Sequence, residues 1–259
     1  MGMAGGEKLF ASGQNYDRAM GRWSRIAGER FLEWLAIPEG LRWLDVGCGT
    51  GAFTELVLQR NSPTAISAID PSENLIAFAK SKPSAERIDY RDGDAMSLPY
   101  RDDDFDVATM ALVIQYIPDP GKAMRELTRV VRQGGTVAAY VWPEDAEGHP
   151  YRALDGSIRT IGVADYNRPG NRMRSANALV ELFASSGLTN IESRTIDFAL
   201  EFNDFDDFWS SLTPGTYQHL SSSDVDRLKL AVRESLPVGS GGRIPYTARA
   251  LAICGRISG

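Results

Sequence analysis

Apolar and polar positions along this chain form a regular succession of short buried-strand runs and helical stripes. Arg42-Trp43-Leu44-Asp45-Val46 has the length and content of a strand, and after three closely spaced glycines a helical pattern runs from Ala52 to Gln59. Ala65 to Asp70 is a second strand run that ends in an acid. Pro71-Ser72 opens a helix, with Ser72 as its cap and Leu75, Ile76 and Ala79 as its inner face. Ile88 to Met96 reads as a third strand and its exit, and Asp104 to Leu112 as a fourth. A helix from Asp119 to Val131 follows, and the turn Gln133-Gly134-Gly135 leads into a fifth strand, Thr136 to Trp142. Alternation at these spacings predicts an α/β fold, with a doubly wound parallel sheet and helices on both faces.

The flanks differ. Upstream, Ser24 is expected to cap a helix with the stripe Ile26, Phe31, Trp34 and Leu35, ending before Pro38. Downstream of Trp142 the alternation stops in a mixed, partly helical stretch holding His149, Tyr151, Arg168, Arg172 and Arg174, of the kind that forms a lid or specificity insert. Ser175 caps a helix through Phe183, Leu188 to Phe202 reads as a sixth strand, and Asp204 to Leu212 and Ser223 to Leu236 read as amphipathic helices. Phe205, Phe208 and Trp209 are expected in the core, and Tyr246 to Arg256 makes a last strand.

With 259 residues, 43% of them apolar, the chain fits one domain, 1–259. A net charge of −6 without any basic run argues against nucleic acid as a partner. No stretch reaches the length of a membrane span, and the first residues have no signal-peptide order, so neither a membrane nor export is expected. Cys48 and Cys254, far apart and without a histidine cluster, predict neither disulfide nor metal site and fit a reducing cytoplasm. Cys48 reads as a small buried residue.

The chemistry concentrates where the first strand meets its helix. Gly47, Gly49 and Gly51 allow positive φ and close approach of a ligand to the backbone, and the helix behind them turns its free N–H groups toward that ligand. Gly47, Gly49 and Ala52 fit the relaxed dinucleotide fingerprint, so an NAD(P)-dependent oxidoreductase has to be weighed. Asp45, two residues before the first glycine, counts against it: a carboxylate repels a pyrophosphate and suits an ammonium or a sulfonium. Asp70 follows Gly47 by about the interval at which an acid binds ribose hydroxyls.

Leu44-Asp45-Val46-Gly47-Cys48-Gly49-Thr50-Gly51 resembles the first motif of the class I S-adenosylmethionine-dependent methyltransferases, and the chain looks like their type 11-like, small-molecule branch. The resemblance implies S-adenosyl-L-methionine as cofactor, S-adenosyl-L-homocysteine as product, and a Rossmann-like seven-stranded sheet. That sheet is mostly parallel, with the last strand inserted antiparallel between the fifth and sixth. A cofactor-binding half at about 16–142 and helical lid elements at about 143–178 and 203–245 follow from it. Tyr16 and Arg22 are then expected over the cofactor, with Arg22 paired to its carboxylate, although packing of the first helix is the other reading of that segment. Asp70 with Pro71 meets the ribose. Asp94 and Ala95 meet the adenine edge and Met96 a ring face, while Ala111 and Gln115 lie on the lip that faces the methyl group.

Relatives with small substrates often carry histidine at positions like 115 and 116, where this chain has Gln115 and Tyr116, so that base is absent. The Asn/Asp-Pro-Pro-aromatic grip of nucleic-acid amino-methyltransferases is also missing from the lip. Candidate catalytic groups are Tyr116 and His149; candidate acceptor-binding groups are Tyr116, Trp142, Arg168, Arg172 and Arg174, the arginines being either anion ligands or solvated surface. The expected activity is in-line methyl transfer to a small-molecule acceptor by a monomer or homodimer. A catalytically silent module that binds S-adenosylmethionine and acts in regulation or interaction is the alternative.

Overall fold

A computed structural model describes residues 13–144, 148–163, 173–212, 217 and 220–258, with side chains from Arg22 onward. Seven strands form one sheet: β1 (Arg42–Val46), β2 (Ala65–Asp70), β3 (Asp89–Asp92), β4 (Phe105–Ala111), β5 (Val131–Val141), β6 (Leu188–Phe202) and β7 (Ile244–Ile257). Their order across the sheet is β3-β2-β1-β4-β5-β7-β6. The first five are parallel, and β7 runs antiparallel to both β5 and β6. Trp43, Leu44, Asp45 and Val46 of β1 are all buried, as a central strand covered on both faces requires.

The covering helices follow from local chemistry. Helix α1 (Gly13–Leu35) lays Trp23, Ala27 and Phe31 against the sheet, and α2 (Ala52–Asn61) buries Phe53, Leu56 and Val57 on the same side. Ser72 accepts from Leu75 N at the start of α3 (Glu73–Lys80). Asp119 accepts from Lys122 N to cap α4 (Pro120–Val130), with proline in the first turn where its missing N–H costs nothing. In the lid region α5 (Arg152–Ile161) packs against α8 (Ser222–Ser235). Between them in sequence come α6 (Ala176–Ser185) and α7 (Phe205–Ser210). Phe205 and Phe208 are core residues, as expected, and Trp209 packs against the core. Among the described residues no helix is long and apolar enough to cross a membrane.

Three elements differ from the sequence expectation. Ser24 does not cap the first helix but lies inside it. The i, i+4, i+8 stripe Trp23-Ala27-Phe31 is continuous across Ser24, and burying it needs a helix that starts earlier. β3 is only Asp89–Asp92, followed by an isolated bridge between Asp94 and Ser97. The Gln133-Gly134-Gly135 turn is an irregularity inside β5: pairing with β4 jumps from Phe105↔Val131 to Val107↔Thr136, and Gly134 takes φ +70° to close it.

Candidate active site

The sheet changes direction of winding between β1 and β4, so a crevice opens at the carboxyl ends of these strands, the place where open α/β sheets bind ligands. The glycine loop forms its floor. Gly47 N and Cys48 N donate to Ile69 O at 2.7 and 3.1 Å, fastening the loop to the end of β2. Gly47 sits at φ +78°, and a Cβ there would collide with the Val113 methyls from the lip after β4. Gly51, at φ +80°, lines no part of the crevice among the described residues; the Tyr90 hydroxyl occupies the place of its missing Cβ. One cavity of about 230 Å³ lies on the β2 side of the loop, bounded by Asp70, Pro71, Asp94, Ala95 and Tyr116. A narrower one of about 40 Å³ lies on the β5 side, bounded by Ser24, Asp45, Cys48 and Tyr140. Gly47, Gly49, Ala111 and Leu112 line both, so the two are arms of one cleft.

Two carboxylates fix its electrostatics. Asp45 is fully buried; Thr54 Oγ1 donates to its Oδ2 at 2.6 Å, and its Oδ1 has no hydrogen-bond partner among the described residues. Burial pushes its carboxyl up to about 7; the Thr54 hydrogen bond opposes this and the charge of Asp70 adds to it. Asp70 accepts from Gly49 N through Oδ2 and from Ser72 N through Oδ1, both at 2.9 Å, so it joins the glycine loop to the start of α3. Burial raises the Asp70 carboxyl as well, against those two backbone hydrogen bonds. On the opposite wall Leu112 holds φ +64°, unusual for a side chain branched at Cγ, with its N donating to Tyr140 O and its O accepting from Gln115 Nε2, each at 2.8 Å.

Residues 44–139 match a protein family described as a methyltransferase domain. The chain is 32% identical over 159 residues to a malonyl-[acyl-carrier protein] O-methyltransferase of Pectobacterium atrosepticum, covering 58% of this chain and 61% of that protein. It is 36% identical over 115 residues to a demethylmenaquinone methyltransferase of Staphylococcus aureus, covering 44% and 48%. The chain thus spans about half to three fifths of the length of these curated relatives. Among solved structures, a phosphoethanolamine N-methyltransferase of Haemonchus contortus, in complex with phosphomonomethylethanolamine and S-adenosylhomocysteine, superposes with a TM-score of 0.56. It has 18% identity and covers 90% of this chain and 53% of that one, a likeness of fold.

Over residues 44–139 the chain is similar to a methyltransferase domain, and its sheet shares the fold of a solved methyltransferase.

The residues present fit that family's cofactor. An orphaned, fully buried carboxylate oxygen at the end of a glycine loop calls for a cation, and a diphosphate there would face it with like charge, which counts against the dinucleotide reading. S-adenosylmethionine offers an ammonium and a sulfonium and no phosphate.

The sequence-predicted residues fall into distinct groups. Asp45, Gly47, Gly49, Asp70, Pro71, Asp94, Ala95, Ala111 and Tyr116 line the cleft. Met96 is half-buried and outside both arms, its N donating to Asp94 Oδ1 at 2.8 Å. Gln115 is turned inward onto the Leu112 carbonyl and supports the lip from behind. Arg22 already has a protein carboxylate: it pairs with Asp207 at 3.0 Å, donates to Glu201 O and stacks on Phe202, so it ties α1 to α7 and lines neither arm. His149 is buried beside Tyr151, its Nδ1 accepting from Tyr151 N at 3.1 Å, and it too lies outside both arms. The Arg174 guanidinium stands 6.0 Å from the centre of the Tyr116 ring at the rim of the larger arm, and Tyr116 is 44% exposed. Trp142 is buried against Phe198. The Tyr16 side chain, Arg168 and Arg172 lie outside the described residues. Sequence reasoning missed Thr54, the hydroxyl that orients Asp45, and Leu112, the strained wall. Thr54 was open to detection as a hydroxyl in the first turn of the helix behind the loop; Leu112 gives no residue-type signal.

Proposed function

We propose that this chain transfers the methyl group of S-adenosylmethionine to a small-molecule acceptor. The single observation that carries the reading is the unpartnered Oδ1 of buried Asp45 at the glycine loop. In this reading Asp45 takes the cofactor's ammonium, Asp70 its ribose hydroxyls, and Asp94 with the Ala95 N–H its adenine edge. When bound, the cofactor supplies an electrophilic methyl on a sulfonium whose charge is lost as the methyl departs. The chain's contribution is to hold the acceptor's nucleophilic atom in line and to keep the surroundings weakly polar, which favours a transition state of diminishing charge. Ala111, Leu112, Val113 and Tyr140, which line the cleft, provide such surroundings. Tyr116 and Arg174, with Arg168 and Arg172, are assigned to the acceptor, and Tyr116, on the wall of the larger arm, is the proton acceptor when the acceptor arrives protonated.

Of the curated relatives described above, one is named for malonyl-[acyl-carrier protein] and the other for demethylmenaquinone, and neither name is that of a nucleic acid. Two free cysteines fit a reducing compartment such as the cytoplasm, and a monomer or homodimer suits a cleft built from one chain. Incubation with methyl-labelled S-adenosylmethionine and a panel of carboxylic acids, phenols, quinols and amines tests the proposal. Label should pass to at least one acceptor with the native chain and fall by about ten-fold or more with Asp45→Ala. Saturable cofactor binding without transfer to any class would assign the chain to the silent-module alternative.

A further inference from the structure

The hydroxyl of Tyr90 is buried without a hydrogen-bond partner among the described residues. Buried hydroxyls in folded proteins are nearly always hydrogen-bonded, so this orphan needs an explanation. Strand register places it beside Asp45: Asp45 of β1 pairs with Ala68 of β2, and Ala68 pairs with Tyr90 of β3. Residues in register project from the same face, so Asp45 and Tyr90 flank a single methyl group, two strand spacings or about 10 Å apart. Thr54 of α2, also buried, acts on both. Its Oγ1 donates to Asp45 Oδ2 at 2.6 Å, and it opposes the burial that pushes the Tyr90 hydroxyl up. Gly51 leaves room for that hydroxyl, since a Cβ at its φ of +80° would fall on it.

The other groups around Asp45 are Asp70 at the end of β2, Cys48 of the loop, and Glu55 of α2, which Lys82 holds at 3.1 Å. Tyr140 of β5 and Ser24 of α1 line the same narrow arm. Thr109 of β4 is in register with Asp45, but its hydroxyl already accepts from Trp43 Nε1 and donates to Leu44 O. Thr54 is therefore the hydroxyl bonded to the Asp45 carboxylate, and Tyr90 stands behind it.

From this geometry we propose that Tyr90 and Thr54 form a buried hydroxyl chain that positions Asp45 for the cofactor's ammonium. The proposal rests on the methyltransferase reading and deepens its cofactor site. In the ligand-free chain the link from Thr54 to Asp45 is closed and the link from Tyr90 to Thr54 is open. Thr54 has committed its proton to Asp45, so its oxygen keeps lone pairs for a hydrogen bond from Tyr90. When the ammonium takes Oδ1, Asp45 gives up its proton to water. The carboxylate then draws on Thr54 and closes the second link, because hydrogen bonds in a chain polarise one another at low dielectric. Each hydroxyl keeps its own proton. Neither residue lines the cleft, and both are positioning residues that act through Asp45.

Two titrations test this. The carboxyl-carbon resonance of Asp45, assigned from Asp45→Asn, is followed against pH in the ligand-free chain, and S-adenosylmethionine affinity is measured by calorimetry at pH 7. Thr54→Val should raise the Asp45 midpoint by about one pH unit and weaken binding about ten-fold. Thr54→Ser, which keeps the hydroxyl, should stay near native. Tyr90→Phe should move both readouts in the same direction as Thr54→Val, by about two- to ten-fold in affinity. Its ligand-free Tm should be equal or higher, because the hydroxyl it removes is unpartnered in that state. Added to Thr54→Val, Tyr90→Phe should change nothing further. Native midpoint and affinity in Tyr90→Phe, losses that add in the double variant, or a Thr54→Ser as impaired as Thr54→Val would overturn the proposal. A native chain that binds no S-adenosylmethionine refutes the methyltransferase reading instead, and the ligand-free titration then judges the hydroxyl chain by itself.

Discussion

Asp45 and Asp70 carry the cofactor assignment, and their surroundings make it testable one residue at a time. Burial holds the Asp45 carboxyl near 7 instead of 3.8, so the folded, ligand-free protein binds that proton more tightly than the unfolded chain does. The stability this group contributes is therefore full below about pH 4 and is lost as pH rises through about 7. A cation on Oδ1 reverses the preference. We predict that affinity for S-adenosylmethionine rises between about pH 5 and 7, by at most about ten-fold per unit, and then levels off. Calorimetric titrations across that range should show the rise in the native chain and a flatter profile in Asp45→Asn; a flat native profile contradicts the pairing. Asp70→Asn should weaken binding by about 1.5–3 kcal/mol, the range for hydrogen bonds to a charged group. The asparagine also keeps one acceptor for Gly49 N or Ser72 N, where alanine would leave both unmatched. Native affinity in a folded Asp70→Asn protein would remove Asp70 from the ribose.

At the scale of elements, the alternating core was legible because its strands and helices are each declared locally. Ser72 and Ser175 cap where expected, and β1, β2 and β4 are short apolar runs bounded by turns. What escaped the sequence is set by partners far along the chain. The start of α1 depends on Trp23 finding Phe198, Phe202 and Tyr246. The positive φ of Leu112 is held by Tyr140 O and Gln115, and the jog in β5 by the register with β4. The same distance effect explains Arg22, whose carboxylate partner Asp207 lies 185 residues away. The rim of the larger arm is also a meeting of distant elements, with Tyr116 from the lip below Arg174 from the start of α6. If this pair receives the acceptor, Arg174→Ala should lower kcat/KM for it by about ten- to a hundred-fold and leave cofactor affinity almost unchanged. A solvated arginine would instead change either by no more than about 0.5 kcal/mol. Steady-state kinetics with the acceptor from the label screen separate the two.

For the whole molecule, the order β3-β2-β1-β4-β5-β7-β6 determines where a ligand can sit, and it brings Asp45, Asp70 and the Leu112 lip to one edge although 67 residues separate the first from the last. The antiparallel placement of β7 between β5 and β6 was legible only through resemblance, because strand order is a matter of non-local pairing and a weakly alternating terminal run is compatible with several positions. The central claim is that this edge is built for a sulfonium cofactor and not for a dinucleotide. Side-by-side calorimetric titration of the native chain with S-adenosylhomocysteine, S-adenosylmethionine and NAD tests it most directly. The account predicts saturable one-to-one binding of both adenosyl ligands and no heat of binding with NAD. Binding of NAD by a folded chain that takes up neither adenosyl ligand would contradict it.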